Sequence, residues 1–73
     1  MDNELVPKHE VLDGEKAEKL LEFYKVTPEL LPKIKKSDPG ISHLEAKIGD
    51  IIKITRYEPQ IGKTLYYRVV VRD

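Results

Sequence analysis

The chain has 73 residues, enough for one domain near the lower size limit at which a hydrophobic core holds a fold unaided, and its 13 basic and 13 acidic residues cancel to a formal charge of zero. Zero net charge argues against a free-standing non-specific nucleic-acid binder, whose affinity comes from a basic face that neutralises phosphates. With no cysteine and two histidines far apart in sequence, a cysteine zinc site is excluded, and neither a metal nor a cofactor is expected.

At the N-terminus, Met1-Asp2-Asn3-Glu4 carries acids where a secretory signal carries lysines, and no long apolar stretch follows. The longest aliphatic run, Val69 to Val71, falls far short of a membrane span. A soluble cytoplasmic domain without membrane contact is therefore expected, folding as a single unit over residues 1–73, with residues 1–4 disordered.

Leu5 to Leu12 reads as a strand, and Pro7, which has no N–H for a ladder, places it at an edge or restricts Pro7 to its start. Asp13 follows as an N-cap, with Glu15 in the first turn, where a carboxylate favours the helix dipole. Ala17, Leu20, Leu21 and Tyr24 then recur at the spacing of one helix face, so an amphipathic helix of about three turns is predicted. On its wet side, Glu15 and Lys19 form an i,i+4 pair in the favourable order, worth ~0.3 kcal/mol.

Thr27-Pro28 signals a second helix start, which Pro32 limits to about one turn. Pro32 to Lys36 then runs extended as a short strand. Asp38-Pro39 repeats the cap-then-proline signature and predicts a short helix from Pro39 to Glu45, with Ile41 and Leu44 facing inward. After a turn at Lys47 to Asp50 come two strands, Ile51 to Tyr57 and Thr64 to Val71, joined through Pro59 and Gly62. Alternation assigns Ile52 and Ile54 to the core face of the first strand, with Lys53, Thr55 and Tyr57 opposite. In the second strand it makes Leu65, Tyr67, Val69 and Val71 a core row, opposed by Tyr66, Arg68 and Arg72. The outer face thus mixes rings with guanidinium groups, which suits a protein or nucleic-acid contact better than catalysis. Element order predicts an α+β domain: one small mixed sheet of four strands, with the amphipathic helix and short helices packed on it.

Little in the sequence suggests catalysis. Ser37 and Ser42 lack a nucleophile elbow, and the four glycines stand singly rather than in a phosphate-cradling loop, so no catalytic residue is assigned. His9 sits on the presumed edge strand beside Pro7, Lys8 and Glu10. Lys33, Lys35 and Lys36 flank Ile34 as charged edge residues commonly do to deter aggregation. Arg56 is the anomaly, because its parity puts it with Ile52 and Ile54 on the core face. An unpaired guanidinium is not buried, so the strand must bulge or end there, or Arg56 must snorkel or reach an acid. Charge is unevenly spread as well: acids dominate up to Tyr24, bases from Lys53 onward.

Several segments taken together carry a resemblance. They are Leu5-Val6-Pro7-Lys8-His9, Leu31-Pro32-Lys33-Ile34 with Ser37-Asp38-Pro39, Ala46-Lys47-Ile48-Gly49-Asp50-Ile51-Ile52-Lys53-Ile54-Thr55-Arg56, and Gly62 with Tyr66-Tyr67-Arg68-Val69-Val70. In this order, over almost the whole length, the chain resembles a family of small subunits of archaeal DNA-directed RNA polymerase. That family is the counterpart of the C-terminal domain of the fifth-largest subunit shared by the eukaryotic nuclear RNA polymerases. The resemblance implies a non-catalytic assembly subunit of a nucleotidyltransferase complex acting in DNA-templated transcription. It implies docking on the C-terminal part of the largest subunit in the lower jaw, near downstream DNA, among other polymerase subunits. Contact with that DNA is left open, and the isolated chain is expected to be a monomer. The turn departs from the family: Tyr57-Glu58-Pro59-Gln60-Ile61-Gly62 replaces a Ser-x-Thr-Ala-Gly-like loop. Gly62 is kept, so the turn is expected to form, while contacts through the loop's hydroxyls are not carried over.

The expected partner-binding residues are Pro7, Lys8, His9, Glu10, Arg56, Tyr66 and Arg68, where edge-strand and aromatic/arginine features concentrate. Two other classes of function compete. Lys47 to Ile52 resembles the hairpin of AbrB-type DNA-binding regulators, which are obligate dimers with a basic face. A ribosome-associated RNA-binding module would instead stack bases on the tyrosines.

Overall fold

Strand pairing organises the chain. The computed structural model describes residues 7–73, with β1 at Lys8–Val11, α1 at Gly14–Tyr24, a 3-10 turn at Pro28–Leu30, β2 at Lys33–Lys35, β3 at Ile51–Glu58 and β4 at Gly62–Val71. The four strands form one sheet in the order β1-β3-β4-β2. β1–β3 and β3–β4 are antiparallel and β2–β4 is parallel, so the sheet is mixed, as the element order predicts.

The local signals act as their chemistry dictates. β1 begins directly after Pro7 and lies on an edge; Leu5 and Val6 of the predicted strand, and the disorder expected for residues 1–4, lie outside the described residues. The Asp13 carboxylate accepts the Lys16 N–H at 2.8 Å, capping α1. At the other end Lys25 turns left-handed, and Val26 N–H bonds the Leu21 C=O at 3.0 Å, closing the helix without glycine. Lys19 and Glu15 approach to 3.9 Å across the exposed side. Thr27 stands in the cap position of the 3-10 turn, but its side chain makes no cap hydrogen bond.

Residues 39–45 differ from expectation. They form consecutive turns instead of a helix: Ile41 and Ser42 N–H both bond the Asp38 C=O, and Leu44 N–H bonds the Ile41 C=O. The Asp38 carboxylate takes the Gly40 N–H at 2.8 Å, an Asx turn that competes with the helical ladder, and Glu45 adopts a left-handed φ of 57° that ends any continuation. The inward direction of Ile41 is nonetheless as predicted, and Leu44 packs against the core. Gly49, at φ 97°, turns the chain into β3, and Gly62, at φ 92°, opens β4, both left-handed positions that favour glycine.

Register corrects the assignment of faces. Ile52 pairs with Arg68 and Ile54 with Tyr66, while Lys53 pairs with Tyr67 and Thr55 with Leu65. Directly opposed residues share a face. Tyr66 and Arg68 therefore lie on the same face as Ile52, Ile54 and Val70, and Leu65, Tyr67 and Val69 lie on the other. The two rows read as core therefore belong to opposite faces, and both faces are covered at one end of the sheet. On the first face, Ile34, Ile41, Ala46, Ile52, Ile54 and Val70 form the core cluster, sealed by residues 41–46. On the second, Ile51, Val69 and Thr55 are buried, and α1 approaches through Tyr24, whose ring centroid is 6.2 Å from that of Tyr67. Thr55, expected on a polar face, is only 5% exposed for this reason. The helix is less sunk than its stripe predicts: none of its residues is buried, and Tyr24 is 55% exposed.

Candidate docking site

The hairpin outruns its cover, and this explains Arg56. β3 pairs with β4 without a bulge as far as Glu58 opposite Gly62. Ile52 and Ile54 lie under the turn segment, but Arg56, two residues on, reaches solvent on the same face. There its Nη2 lies 3.9 Å from a Glu58 carboxylate oxygen, and its guanidinium carbon sits 5.6 Å from the Tyr66 ring centre. The ion pair is largely exposed and contributes little in water. The Tyr66 ring also lies within cation–π range of the guanidinium.

Around this end of the face runs an open groove of about 510 Å³. Ile34 and Ile54 supply apolar surface, and His9, Arg56 and Arg68 line it together with Pro7. Arg68 is exposed; its Nη1 donates to the Lys33 C=O at 3.4 Å, and among the described residues no carboxylate lies within salt-bridge distance of it. One acid, Asp38, also lines the groove, and its Oδ1 is already engaged by the Gly40 N–H. His9 closes against Gly40: a Cβ there would stand 3.0 Å from the His9 Nε2. An apolar floor with guanidinium groups above it is the surface chemistry of a protein-binding anchor.

Of the residues singled out in the sequence, Pro7, His9, Arg56 and Arg68 share this groove, and Tyr66 adjoins it beneath Arg56. Lys8 and Glu10 do not. They pair with Thr55 and Lys53 on the opposite face, and contact each other at 4.0 Å. Sequence reading missed that Ile34 and Asp38 complete the groove; the signal was a lone aliphatic residue between lysines, which the parallel β2–β4 pairing brings beside Val70.

A second groove, about 390 Å³ and mostly apolar, lies where α1 meets the free side of β4, lined by Leu20, Tyr24, Leu31, Leu65 and Tyr67 among others. Burial there pushes the Tyr67 phenol above its ordinary pKa, with the nearby Tyr24 adding to the shift. At the far corner, Ser37 holds the Asp73 carboxyl below its ordinary range, through its hydroxyl and its N–H, the latter at 3.0 Å. Among the described residues no cluster of three or more His, Cys, Asp or Glu is placed to hold a metal ion, and no helix is long and apolar enough to cross a membrane.

Comparison with known proteins bears on this surface. The sequence pattern of the family described as "RNA polymerase Rpb5, C-terminal domain" matches residues 1–70. A DNA-directed RNA polymerase subunit Rpo5 from Pyrococcus horikoshii is 54% identical over 69 residues, covering 94% of this chain and 84% of the relative. The protein of the same name from Archaeoglobus fulgidus is 51% identical over 70 residues, covering 96% and 92%. That from Sulfolobus acidocaldarius is 51% identical over 69 residues, covering 94% and 82%.

Proposed function

Since the chain belongs to the family of the C-terminal domain of RNA polymerase Rpb5, we propose that it is a non-catalytic assembly subunit of a multisubunit DNA-directed RNA polymerase, equivalent to the matching domain of the fifth-largest eukaryotic subunit. It works in the cytoplasm, within the transcribing complex. It docks on the C-terminal part of the largest subunit, in the lower jaw near downstream DNA.

The observation that carries this reading is the family match along nearly the whole chain, and the groove beside Arg56 and Arg68 supplies a surface for it. His9, Arg56, Tyr66 and Arg68 hold the partner, Pro7 borders them, and Lys8 and Glu10 act from the opposite face of the edge strand. A preformed sheet carrying arginine and tyrosine side chains needs little reordering to bind, so little of the contact energy is lost to entropy. The rival readings fit less well. The hairpin is the centre of a four-stranded sheet rather than a swapped dimer element, and Tyr66 and Tyr67 point to opposite faces, which gives no shared stacking platform.

Charge reversal tests the reading. Arg56→Glu and Arg68→Glu, singly and together, are expected to lower co-purification of the tagged chain with the polymerase at least tenfold, while thermal unfolding of the isolated domain stays near that of the parent. Undiminished assembly of the double variant would sink the groove as the docking surface, and failure of the parent chain to enter polymerase would sink the function itself.

A further inference from the structure

β4 is paired on both sides for only part of its length. β3 runs along it from Gly62 to Val69, but β2 meets only Val69 to Val71 on the other side. The ladder stops for a chemical reason. Val69 N–H donates outward to the Pro32 C=O at 2.9 Å. One step earlier in this register the N–H of residue 32 would bond the Tyr67 C=O, and proline has no N–H to give. Backbone groups alternate in direction along a strand, so Leu65 and Tyr67 project their N–H and C=O toward the same side as Val69. Among the described residues no backbone or side-chain group bonds the Leu65 or Tyr67 N–H there.

This open edge runs from Lys63 to Tyr67, about 17 Å at the rise of a strand, with Leu31 and Pro32, which lead into β2, standing at its Tyr67 end. It forms one wall of the apolar groove whose other wall is α1, with Leu20 and Tyr24 facing Leu65 and Tyr67. Leu65 is 41% exposed and Tyr24 55%, so the apolar surface is accessible on the helix side. On the other side of the sheet the next residue is Arg68, whose Nη1 reaches over toward the Lys33 C=O at the end of β2. A strand added here therefore meets hydrocarbon with one set of alternate side chains and a guanidinium with the other.

The geometry points to a second docking site, which shares Arg68 with the Arg56 groove: the Leu65–Tyr67 edge of β4 accepts an extended segment of another polypeptide, in which apolar residues alternate with acidic ones, as an added β-strand. The apolar side chains enter the groove beneath α1, the carboxylates face Arg68, and the segment's backbone satisfies the free groups of Leu65 and Tyr67. Charge selects this occupant over a second copy of the chain. β4 contains Lys63 and Arg68 but no acid, so edge-to-edge pairing of two copies brings like charges together with nothing to offset them.

The test uses the 73-residue chain, labelled with nitrogen-15, and two synthetic probes: a capped hexapeptide of alternating valine and glutamate, and its valine–lysine analogue. The valine–glutamate peptide is expected to shift the Leu65 and Tyr67 amide resonances saturably, to slow their hydrogen exchange, and to bind at least tenfold more tightly than the lysine analogue. Arg68→Gln is expected to reduce that preference to less than threefold, and Leu65→Pro, which removes one outward N–H while sparing the β3 ladder, to abolish the shift and the slowed exchange at Tyr67. Equal response to both peptides, or no response at Leu65 and Tyr67 in the parent chain, would overturn the proposal whether or not the variants fold. So would protection of these amides that depends on protein concentration without peptide, which assigns the edge to a second copy.

Discussion

The two faces of the sheet are closed in different ways. The face bearing Ile52, Ile54 and Val70 is sealed by irregular turns, residues 41–46, that bury Ile41 and Ala46 almost completely. The face beneath the only α-helix among the described residues is covered loosely: no residue of α1 is buried, and Phe23 at its end is 76% exposed. Regular secondary structure and tight packing thus part company. The compact core is built by a segment with no helical period, whereas the amphipathic helix leaves a groove along its flank. In a domain of this size, apolar surface left open has more value to a partner than to the fold.

Substitutions can break that comparison. Ile52→Ala removes a side chain with no exposed surface and is expected to cost about 2–5 kcal/mol, enough to unfold much of a domain whose net stability is of the same order. Leu20→Ala, in the half-buried stripe of α1, is expected to cost about 1 kcal/mol or less. Urea denaturation followed by circular dichroism compares the two. Equal losses would mean that the helix face is as tightly packed as the turn face.

Backbone substitutions sharpen the picture at intermediate size. A Cβ on Gly49 meets nothing within 4 Å, so Gly49→Ala tests the φ of 97° alone and is expected to cost about 1–2 kcal/mol. The two caps make a matched pair. Asp13→Ala loses a 2.8 Å bond to the Lys16 N–H and is expected to cost about 1 kcal/mol, whereas Thr27→Ala, whose side chain makes no cap bond, should stay within about 0.5 kcal/mol. A large loss at Thr27 in the same denaturation series would show a role for its hydroxyl that the geometry does not.

The smallest expected effects are in pH dependence. The Tyr67 phenol is raised by burial and by Tyr24, so the folded state holds its proton more tightly. Its contribution is complete below the unfolded value of 10.0 and is lost as pH rises beyond it. Tyr67→Phe should flatten that alkaline decline. Asp73 has the opposite sign: Ser37 lowers its pKa, so its contribution is present above the unfolded value of 3.8 and fades as pH falls through the folded one. Asp73→Asn should remove a slight acid-side slope, read from thermal midpoints across pH.

Much of the fold was legible because it follows from local chemistry. Asp13, Pro28 and Pro32 placed helix starts and stops correctly, and the hairpin was plain from its alternation and its glycines. Face assignment failed for a non-local reason. Each strand's own period cannot say which of its two rows pairs with which, and here both faces are buried at one end, so Ile51 and Ile52 are equally inaccessible. The helix expected at Pro39 to Glu45 failed because the Asp38 side chain and carbonyl both serve turns. For the candidate site, Arg56 was visible as an anomaly of parity, and the structure resolves it by ending the cover rather than the strand. Ile34 and the open edge of β4 were not legible, since both depend on where β2 pairs with β4 and where Pro32 stops that pairing.

Docking through the Arg56 face is tested most directly by a photo-crosslinking amino acid placed at Tyr66, beside Arg56 and on the groove's face, in polymerase reconstituted from its subunits. The control is the same group at Glu18, on the exposed side of α1. The expected result is a cross-link from position 66 to the largest subunit, mapping to its C-terminal part, with little from position 18. A cross-link to the largest subunit from position 18 and none from position 66, in assembled enzyme, would contradict docking through this face.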